Sequence, residues 1–566
     1  MNRALKIGLI VDSRNVSPYV MDLAKWARSQ RNIDISHVLI QKVERVSGYQ
    51  RAIRLIKRQG ICRLSSAVVF ALLTKAELVL LRRRYRIVKD HFQYEAVDSI
   101  ISDSLSITPV VSETGNIFQY DNDDLEKIRA LDFDLLIRCG TGILRGEILS
   151  VAKHGIVSFH HADNRVYRGS PPAFWEVFYR DETTGFTLQQ LTEDLDGGNV
   201  LARGCFTTQP TYLLNQANLY LRSNFFLKKL LCDIASTNTL IYLESSYPYD
   251  GKLFTRPNVW TQIRYVCRTM VRFTRTLIDQ KIFCRRDSWN VSFATTNWHK
   301  LVMRQSKRIP NPRNHFLADP FIIRNNATDY CFVEDYDYAK NLAAISVYEI
   351  SDDKVIRLGE AIKEEFHLSF PYIFTFKDEY YMCPQTKGTN DIRLYRNIEF
   401  PLKWELTAVL LDDVSATDTM IFPHDDRWWM LTNIDPFDGS DHSSMLFIFF
   451  SDNPLGHIWE SHRMNPVIVD PMRARNAGIL YDGDIIYRVS QQHGFGIYGQ
   501  GTAINRIDEL TPDKFSEVKV STISPKFSPA AQGSHHLHSN GAITVFDYAN
   551  KLRCNPISRK YSESNF

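Results

Sequence analysis

The second half of the chain repeats one pattern of short strands. Each repeat combines a small or acidic residue, an apolar strand, a polar turn and a strand rich in aromatic residues. The five repeats cover residues 318–334, 371–382, 418–431, 476–487 and 534–546. A spacing of roughly 50 residues is typical of four-stranded propeller blades. The repeat therefore predicts an all-β five-bladed β-propeller, which we place at residues 291–566.

In a propeller the first strand of each blade lines the central channel, so polar residues that begin the repeats are expected to converge. These residues are Asp319, Asp418, Asn476 and Ser534. Convergent polar groups between aromatic walls suit sugars, and we expect the four side chains to bind glycan. For Asp319 a plain turn at the end of a strand explains the residue equally well.

Ala318-Asp319-Pro320 resembles the start of the five-bladed glycoside hydrolases, in which that aspartate activates water. The chain from Trp298 onward more closely resembles the β-propeller domain of the plant glucosamine inositolphosphorylceramide transferases. That second resemblance implies a fold and not an activity. Hydrolysis would also need an acid carboxyl group about 5–10 Å away. Glu334, Asp335 and Asp418 are the candidates.

The first half alternates between strand and helix patterns. Residues 6–12 predict a buried strand, a helix begins after Ser17, and residues 37–41 predict a second strand. This order favours a doubly wound parallel sheet, which we place at residues 1–210. No GxGxxG follows the first strand, so a dinucleotide site is not supported. Residues 211–290 are helical in period and predict a connector between the two domains.

Polar residues gather at the end of one predicted strand of the first half. Ser158, His160 and His161 follow Ile156 and Val157, the pair Arg168-Gly169 follows in a loop, and Asp196 comes after the next predicted strand. The carboxyl ends of strands in α/β proteins are where ligands bind. Each of these signals alone describes an ordinary strand end or turn.

In order and spacing these residues resemble the folate-dependent formyltransferases, whose pattern is Asn-x-His, Arg-Gly and Leu-Asp-x-Gly. Ser158 stands where that family has asparagine. The resemblance implies a formyltransferase-like fold and 10-formyltetrahydrofolate as the formyl donor. It implies His160 and Asp196 as catalytic residues, with Ser158 and His161 as partners. It also implies a cofactor-binding wall made by Gly140, Thr141, Gly142, Arg168 and Gly169.

The chemistry shows why Ser158 matters. An amine that attacks a formyl carbon forms an intermediate with a negative oxygen, which needs hydrogen-bond donors, and a positive nitrogen, which must lose a proton. Loss of one such donor costs about 10²–10³ in rate. Three readings remain open: a working variant that uses Ser158 or His161, a transferase with another acyl donor, or an inactive site.

The whole-chain properties limit the partners. The net charge of +4 is small for 566 residues and does not favour nucleic acid. The nine cysteines include no CxxC pair, which indicates reduced thiols, and no cluster has convincing spacing for a metal. The apolar run at the N-terminus is too short for a signal peptide. We expect a cytoplasmic protein without a metal, of undetermined oligomeric state.

Residues 42–89 are basic and contain two apolar runs separated by Lys75 and Glu77. We judge these runs too short to span a bilayer. One interpretation is a basic segment that lies on a membrane surface, as a peripheral contact, or receives an anionic substrate. The favoured interpretation is a pair of packing helices with solvated basic faces.

Together these observations predict a formyltransferase that acts on the amine of an amino sugar, as its nucleotide conjugate, in surface polysaccharide biosynthesis. The small-molecule substrate is inferred from the pairing with a propeller. One alternative is a glycan-binding scaffold whose transferase site is inactive. The other is a propeller-based glycosidase or glycosyltransferase with an accessory first domain.

Overall fold

The computed structural model describes residues 3–43, 61–113, 115–194, 196–244, 248–283, 285–351, 354–437 and 441–553. Leu195 and the basic residues Arg45, Arg51, Arg54, Lys57 and Arg58 of the predicted basic segment lie outside the described residues. The chain divides into two compact units, Met1–Val271 and Arg272–Phe566. The predicted connector at 211–290 is thus shared between the units.

The first unit is built on a seven-stranded sheet. Its strands are β1 Leu5–Val11, β2 Ile33–Gln41, β3 Ser104–Ile107, β4 Leu135–Arg138, β5 Ile156–His160, β6 Thr183–Gln190 and β7 Asn199–Thr207. They lie in the order β7-β6-β5-β4-β1-β2-β3. Strands β1 to β5 run parallel to one another, β6 pairs antiparallel with β5, and β7 pairs antiparallel with β6. The alternation of strands and helices that the sequence predicts is present.

Helices cover both faces of this sheet because successive residues of a strand point to opposite faces. Leu9 of β1 packs with Leu23 and Leu231 on one face, and Ile10 packs with Leu125 and Ile128 on the other. The helices are α1 Pro18–Arg28, α2 Ile61–Leu81, α3 Arg86–His91, α4 Asn122–Arg129, α5 Phe174–Tyr179, α6 Tyr212–Thr237 and α7 Val259–Leu277.

Short strands complete the first unit. Asn15–Val16 pairs with Glu95–Ala96, and Arg168–Gly169 pairs with Leu253–Phe254. Val110–Val111, Ile117–Gln119 and Ile143–Leu144 form a small third sheet. The pairing of Arg168–Gly169 matters most, because it fixes the loop that follows the polar end of β5.

Within its described residues, the second unit contains five antiparallel sheets. Strands β8 Arg285–Ala294 and β9 Lys307–Arg308 come first in the chain and are not part of the first sheet. The first sheet is β10 His315–Asn325, β11 Thr328–Asp337, β12 Leu342–Ser351 and β13 Lys354–Ile362. The second is β14 Leu368–Phe376, β15 Glu379–Thr386, β16 Asp391–Glu399 and β17 Lys403–Asp412. The third is β18 Ala416–His424, β19 Arg427–Ile434, β20 Met445–Ser451, β21 Glu460–Ser461 and β22 Ile468–Val469.

The fourth sheet is β23 Asn476–Asp482, β24 Ile485–Gly494, β25 Ile497–Leu510 and β26 Phe515–Ile523. The fifth joins both ends of the unit, because β29 Thr544–Arg553 pairs with β8 along its length and also with β27 Ala531–Gly533 and β28 Leu537–Ser539. The inner strands β10, β14, β18, β23 and β28 each contact the next, and β28 contacts β10. The five predicted repeats fall on the five sheets, and the propeller itself stays a prediction.

A bulge recurs near the start of the inner strands. The register shifts after Ala318, Ser369, Thr417 and Asn476. Asp319 and Asp418 occupy the bulge with φ near +50°, a conformation that aspartate tolerates better than most residues. Bulges re-aim side chains, which explains why the acidic residues repeat at this position.

Candidate functional site

The first candidate site lies at the carboxyl end of β5. His160 is the last residue of that strand and is buried, with its Nδ1 3.4 Å from Oδ1 of Asp196. Asp196 lies between β6 and β7 with φ at +51°. Burial alone would lower the pKa of His160, but the hydrogen bond and charge of Asp196 outweigh it and raise that pKa. The pair therefore favours an imidazolium beside a carboxylate.

Both ring nitrogens of His160 are occupied. Nε2 donates to the carbonyl of Tyr167 at 2.7 Å, on the side opposite to Asp196. The loop that carries Tyr167 is fixed in turn, because Nδ2 of Asn164 donates to the carbonyl of Asp196 at 3.0 Å. In this conformation His160 offers no N–H to a substrate, and a formyl oxygen would have to displace the Tyr167 carbonyl.

Ser158 and His161 point to different surroundings. The hydroxyl of Ser158 is buried and donates to the carbonyl groups of Arg138 and Phe159 at 3.4 and 3.3 Å. The ring of His161 stacks on Tyr220 of α6, with centroids 3.6 Å apart and planes 7° apart. Burial lowers the pKa of His161 well below its usual value. The structure thus brings Ser158, His160 and Asp196 to one strand end and packs His161 against a helix.

The predicted cofactor wall at Gly140, Thr141 and Gly142 is filled by the protein's own side chains. The N–H of Thr141 donates to both carboxylate oxygens of Asp12 at 3.0 Å. A Cβ at Gly142 would lie 2.4 Å from the ring of Phe118, and its φ is +85°. The glycines are thus explained by close packing within the unit. The N–H of Thr141 is not available to a folate in this conformation.

Arg168 and Gly169 support Asp196. Nε of Arg168 donates to the carbonyl of Asn164 at 2.9 Å, and its guanidinium lies 4.5 Å from the centroid of Tyr249. The backbone of Gly169 hydrogen-bonds the Asp196 carboxylate, which with His160 outweighs burial and lowers the pKa of that group. A Cβ at Gly169 would lie 2.1 Å from the Phe254 carbonyl. These residues position the acid.

Sequence reasoning missed two charged residues here. Glu176 of α5 is buried next to His160, burial raises its pKa to about 8, and its Oε1 has no hydrogen-bond partner among the described residues. Arg138 ends β4, donates to the carbonyl of Gly142, and lies within electrostatic reach of Asp12 and Asp196. A charged residue that ends a buried strand was the signal for Arg138. Glu176 follows two aromatic residues in a helix and gave no signal.

The second candidate site is a cavity of about 550 Å³ in the second unit. Its walls combine aromatic rings with ionisable groups. It lies at the starts of the inner strands β10, β14 and β18. The lining residues that carry the argument below are Trp289, Phe316, Asp319, Glu334, Arg475 and His535. Aromatic faces with a few polar groups are typical of ligand-binding cavities.

Asp319 is held at the edge of this cavity between acids and an imidazole. Its N–H donates to Oδ2 of Asp547 at 3.1 Å, and its Oδ1 lies 3.8 Å from Nε2 of His535. Burial raises the pKa of Asp319 well above its usual value, and the charges of Glu334, Asp418 and Asp547 act in the same direction. The charge of His535 acts in the opposite direction, so burial and the neighbouring acids favour the neutral form of Asp319 and His535 favours the carboxylate.

His535 carries the complementary charge. Its Nδ1 lies 2.6 Å from Oδ2 of Asp547, and its ring stacks on Trp289 at 3.7 Å. Burial lowers the pKa of His535, but Asp547 and Asp319 outweigh it and raise that pKa to about 9. Asp319, His535 and Asp547 are also the group that could hold a metal ion. Asp547 already accepts three backbone N–H groups, which leaves it poorly suited to that role.

The other predicted sugar-binding residues do not line the cavity. Asp418 is buried and pairs with Arg475, whose Nε lies 2.6 Å from Oδ2. Nδ2 of Asn476 donates to the carbonyls of Asp418 and Leu431 at 2.8 and 3.0 Å. Ser534 is buried, and its N–H donates to the carbonyl of Gly499. Of the four residues, Asp319 lines the cavity and Asp418 reaches it through Arg475.

Of the two other candidate acids, one lines the cavity and one does not. Glu334 lines the cavity, and its Oε1 lies 3.2 Å from Nε2 of His367. Asp335 is turned away from it, because it pairs with His315 and accepts from Ser346. The alternation of side chains along β11 separates these neighbours.

The second unit contains a region shared with a class of transferases. The family model described as the N-terminal region of glucosamine inositolphosphorylceramide transferase 1 matches residues 297–540. The enzyme of that name from Arabidopsis thaliana is 33% identical over 220 residues, which are 37% of this chain and 27% of that protein. The chain thus spans about a quarter of the length of this curated relative.

A second transferase is similar over a shorter stretch. The methionyl-tRNA formyltransferase of Halorhodospira halophila is 40% identical over 82 residues, or 14% of this chain and 26% of that protein. Among solved structures, glycinamide ribonucleotide transformylase 1 from Symbiobacterium toebii aligns with a TM-score of 0.29 and 14% identity, over 44% of this chain and 96% of that chain. A TM-score of this size carries no argument. The propeller-domain resemblance is supported by the family match, and the formyltransferase resemblance only in part.

Proposed function

We propose that the chain transfers a formyl group from 10-formyltetrahydrofolate to the amine of an amino sugar, as a nucleotide conjugate in surface polysaccharide assembly. The observation that carries the proposal is the buried pair of His160 and Asp196 at the carboxyl end of β5. The similarity to a methionyl-tRNA formyltransferase supports it. A cytoplasmic location is part of the same proposal.

The roles follow from the geometry. Asp196 keeps His160 charged, and Nε2–H of His160 donates to the oxygen that becomes negative during attack. For this the N–H must leave the Tyr167 carbonyl, so substrate binding moves the loop that carries Tyr167. Ser158 supplies a second, shorter donor after rotation of its hydroxyl. The amine proton passes to the Asp196 carboxylate, and the donor nitrogen that loses the formyl group takes up a proton as its bond to the formyl carbon breaks. Glu176, whose pKa is raised to about 8, holds its own proton at neutral pH.

The amino sugar is proposed from the second unit. The relatives that match this region carry glucosamine in their name. The cavity beside Trp289 and Phe316 has the aromatic walls that sugar faces prefer. We propose that the second unit is a five-bladed β-propeller that binds glycan there, with Asp319 and His535 as the polar contacts.

Thermal stabilisation by a non-transferable formyl-folate tests the first unit without knowledge of the acceptor. A ligand at a hundred times its dissociation constant adds about 2.7 kcal/mol to the stability of the native state. We expect a clear rise in melting temperature for the wild type and no rise for His160→Ala or Asp196→Ala. His154→Ala, at a half-buried histidine of the same unit, is the matched control and should keep the shift. Absence of a shift in the wild type would reject folate as the donor.

A second candidate function is supported by the cavity. Asp319, whose pKa burial raises, and Glu334 place two carboxyl groups in one cavity, as glycoside chemistry requires. In that case Asp319→Asn abolishes turnover of a glycoside and His160→Ala does not. Our proposal expects the reverse for formyl transfer, with Asp319→Asn reducing glycan affinity only.

A further inference from the structure

Helix α2 exposes an apolar side. It has 21 residues with a mean hydropathy of 1.9 over its most apolar stretch, of which 6% is buried. Ile61, Val68, Leu72 and Val79 are exposed by 70, 52, 62 and 39%. Their spacing of seven, four and seven places them on one side of the helix. The expected solvated basic face is therefore wrong for this helix. The expectation that the segment is too short to span a bilayer is also wrong by length and composition.

The first turns of α7 also expose apolar side chains. Trp260, Ile263 and Val266 are exposed by 71, 42 and 40%. Two polar residues of α7 face the protein instead, since Nε2 of Gln262 donates to the carbonyl of Ser66 at 2.9 Å and Nη1 of Arg268 donates to the carbonyl of Phe178 at 2.8 Å. A helix of a water-soluble surface has the opposite arrangement. Because Gln262 bonds Ser66 of α2, the two helices are neighbours.

Positive charge borders this apolar surface. Arg82, Arg83 and Arg84 follow directly after α2 and are exposed, and Lys75 is exposed on α2 itself. Among the residues that the structure describes, Arg82 and Arg83 form no ion pair. An apolar surface with a basic border and an exposed tryptophan is complementary to the interface of an anionic bilayer.

We propose that α2 and residues 259–271 of α7 form a docking face that lies in the plane of an anionic lipid bilayer. The face belongs to the first unit and is independent of either candidate site. The bilayer covers the apolar side chains, and the arginines after α2 contact the lipid phosphates.

An in-plane position is favoured over a transmembrane one by the inner side of α2. Glu77 accepts from the N–H of Leu213 at 2.8 Å and from the hydroxyl of Tyr265 at 2.9 Å. A spanning helix would have to break both bonds and carry Glu77 and Lys75 into the hydrocarbon, which costs several kcal/mol. The in-plane arrangement keeps both bonds of Glu77. It places the exposed side against the bilayer, where Lys75 extends its ammonium group to the lipid headgroups.

Vesicle flotation of the full-length chain tests the proposal. Two vesicle types are compared, neutral phosphatidylcholine and phosphatidylcholine with about 30 mol% phosphatidylglycerol. We expect flotation with the anionic vesicles, and at least a tenfold weaker partition at about 0.5 M salt because screening removes the charge attraction. The double variant Val68→Glu/Leu72→Glu should abolish flotation, and Arg82→Glu/Arg83→Glu should weaken it about tenfold or more.

The matched control is Ile356→Glu/Val518→Glu, which replaces two similarly exposed apolar residues of the second unit. It should float like the wild type, and melting curves establish that each variant is folded. Equal partition into neutral and anionic vesicles, or no partition, would overturn the proposal. Resistance of the bound chain to alkaline carbonate extraction would overturn it in favour of a spanning helix. Dimers that Val68→Glu/Leu72→Glu dissociates, without vesicle binding, would identify a second copy as the occupant.

Discussion

The two units each contain a buried histidine paired with an aspartate, and the pairs differ in what lies on the other side of the ring. In the first unit His160 faces Asp196 with one nitrogen and gives the other to the Tyr167 carbonyl. In the second unit His535 faces Asp547 with Nδ1, and its Nε2 lies towards Asp319 at the wall of a cavity.

The comparison shows that a site can be recognisable from its sequence motif without being open to a ligand. The first pair lies in the sequence pattern that resembles a known family, yet its donors are used by the chain itself. In the second pair, His535 lies in the fifth repeat but was not predicted as a site residue, yet it borders open space of about 550 Å³. Binding at the first site requires the loop around Tyr167 to move, whereas the second is preformed.

The largest expected effect is that of Asp547→Asn. Oδ2 of Asp547 accepts from the N–H of Asp319 and faces Nδ1 of His535, so an amide nitrogen in its place meets two donors. Breaking a buried charged pair costs about 3–5 kcal/mol. We expect the melting transition of the second unit to fall by about 10 °C, measured by calorimetry.

The control for this change is Asp508→Asn, an exposed partner of Arg506 in the same unit. It should leave the melting temperature unchanged, because exposed ion pairs contribute little. A decrease in melting temperature of less than about 3 °C for Asp547→Asn would mean that the His535–Asp547 pair contributes no more than an exposed ion pair. That result would contradict the comparison of the two units.

The second prediction concerns pH. The folded pKa of His535 is about 9 and its ordinary value is 6.5, so the folded state binds the proton more tightly. This contribution is complete below pH 6.5 and is lost as the pH rises to about 9. It amounts to about 3 kcal/mol. Asp319, whose pKa is also raised, acts in the same direction above its ordinary value.

We therefore expect the melting temperature of the second unit to fall between pH 6.5 and 9. His535→Gln should flatten this fall, and His457→Gln, at an exposed position of the same unit, should not. A melting temperature that stays constant over this range in the wild type would contradict an imidazolium between Asp547 and Asp319.

The sequence predicted the features that depend on hydrophobic periodicity and on the order of motifs along the chain. The strands β1 and β2, the five-fold repeat and the meeting of His160 with Asp196 follow from patterns that are local or fixed by strand ends. It could not predict long-range partners. Nothing in the sequence indicates that Arg475 pairs with Asp418, that Asp547 accepts three backbone N–H groups, or that α7 turns its apolar side outward.

Asn476→Ala tests a residue that the repeat indicated as a sugar contact. Its Nδ2 donates to the carbonyls of Asp418 and Leu431, and it does not border the cavity. Loss of these bonds leaves buried acceptors unpaired and costs about 2 kcal/mol. We expect a lower melting temperature of the second unit and unchanged glycan affinity in the folded protein, measured by calorimetric titration. An affinity loss larger than that of Asp319→Asn would restore Asn476 as a contact.

The smallest effect is expected for His161→Phe. The ring of His161 is stacked on Tyr220, and its Nε2 has no partner among the described residues. Burial lowers the pKa of His161 well below its usual value, which favours the neutral ring. Phenylalanine keeps the stacking and removes an unpaired polar atom, a change worth about 1 kcal/mol or less. The melting temperature should stay constant or rise slightly, and stabilisation by a formyl-folate should persist, whereas His160→Phe abolishes it. If His161→Phe also abolishes it, the His161 ring turns inward on binding. His161 would then supply, from the helix side of the strand, the hydrogen-bond donor that asparagine provides in the formyltransferases at the position of Ser158.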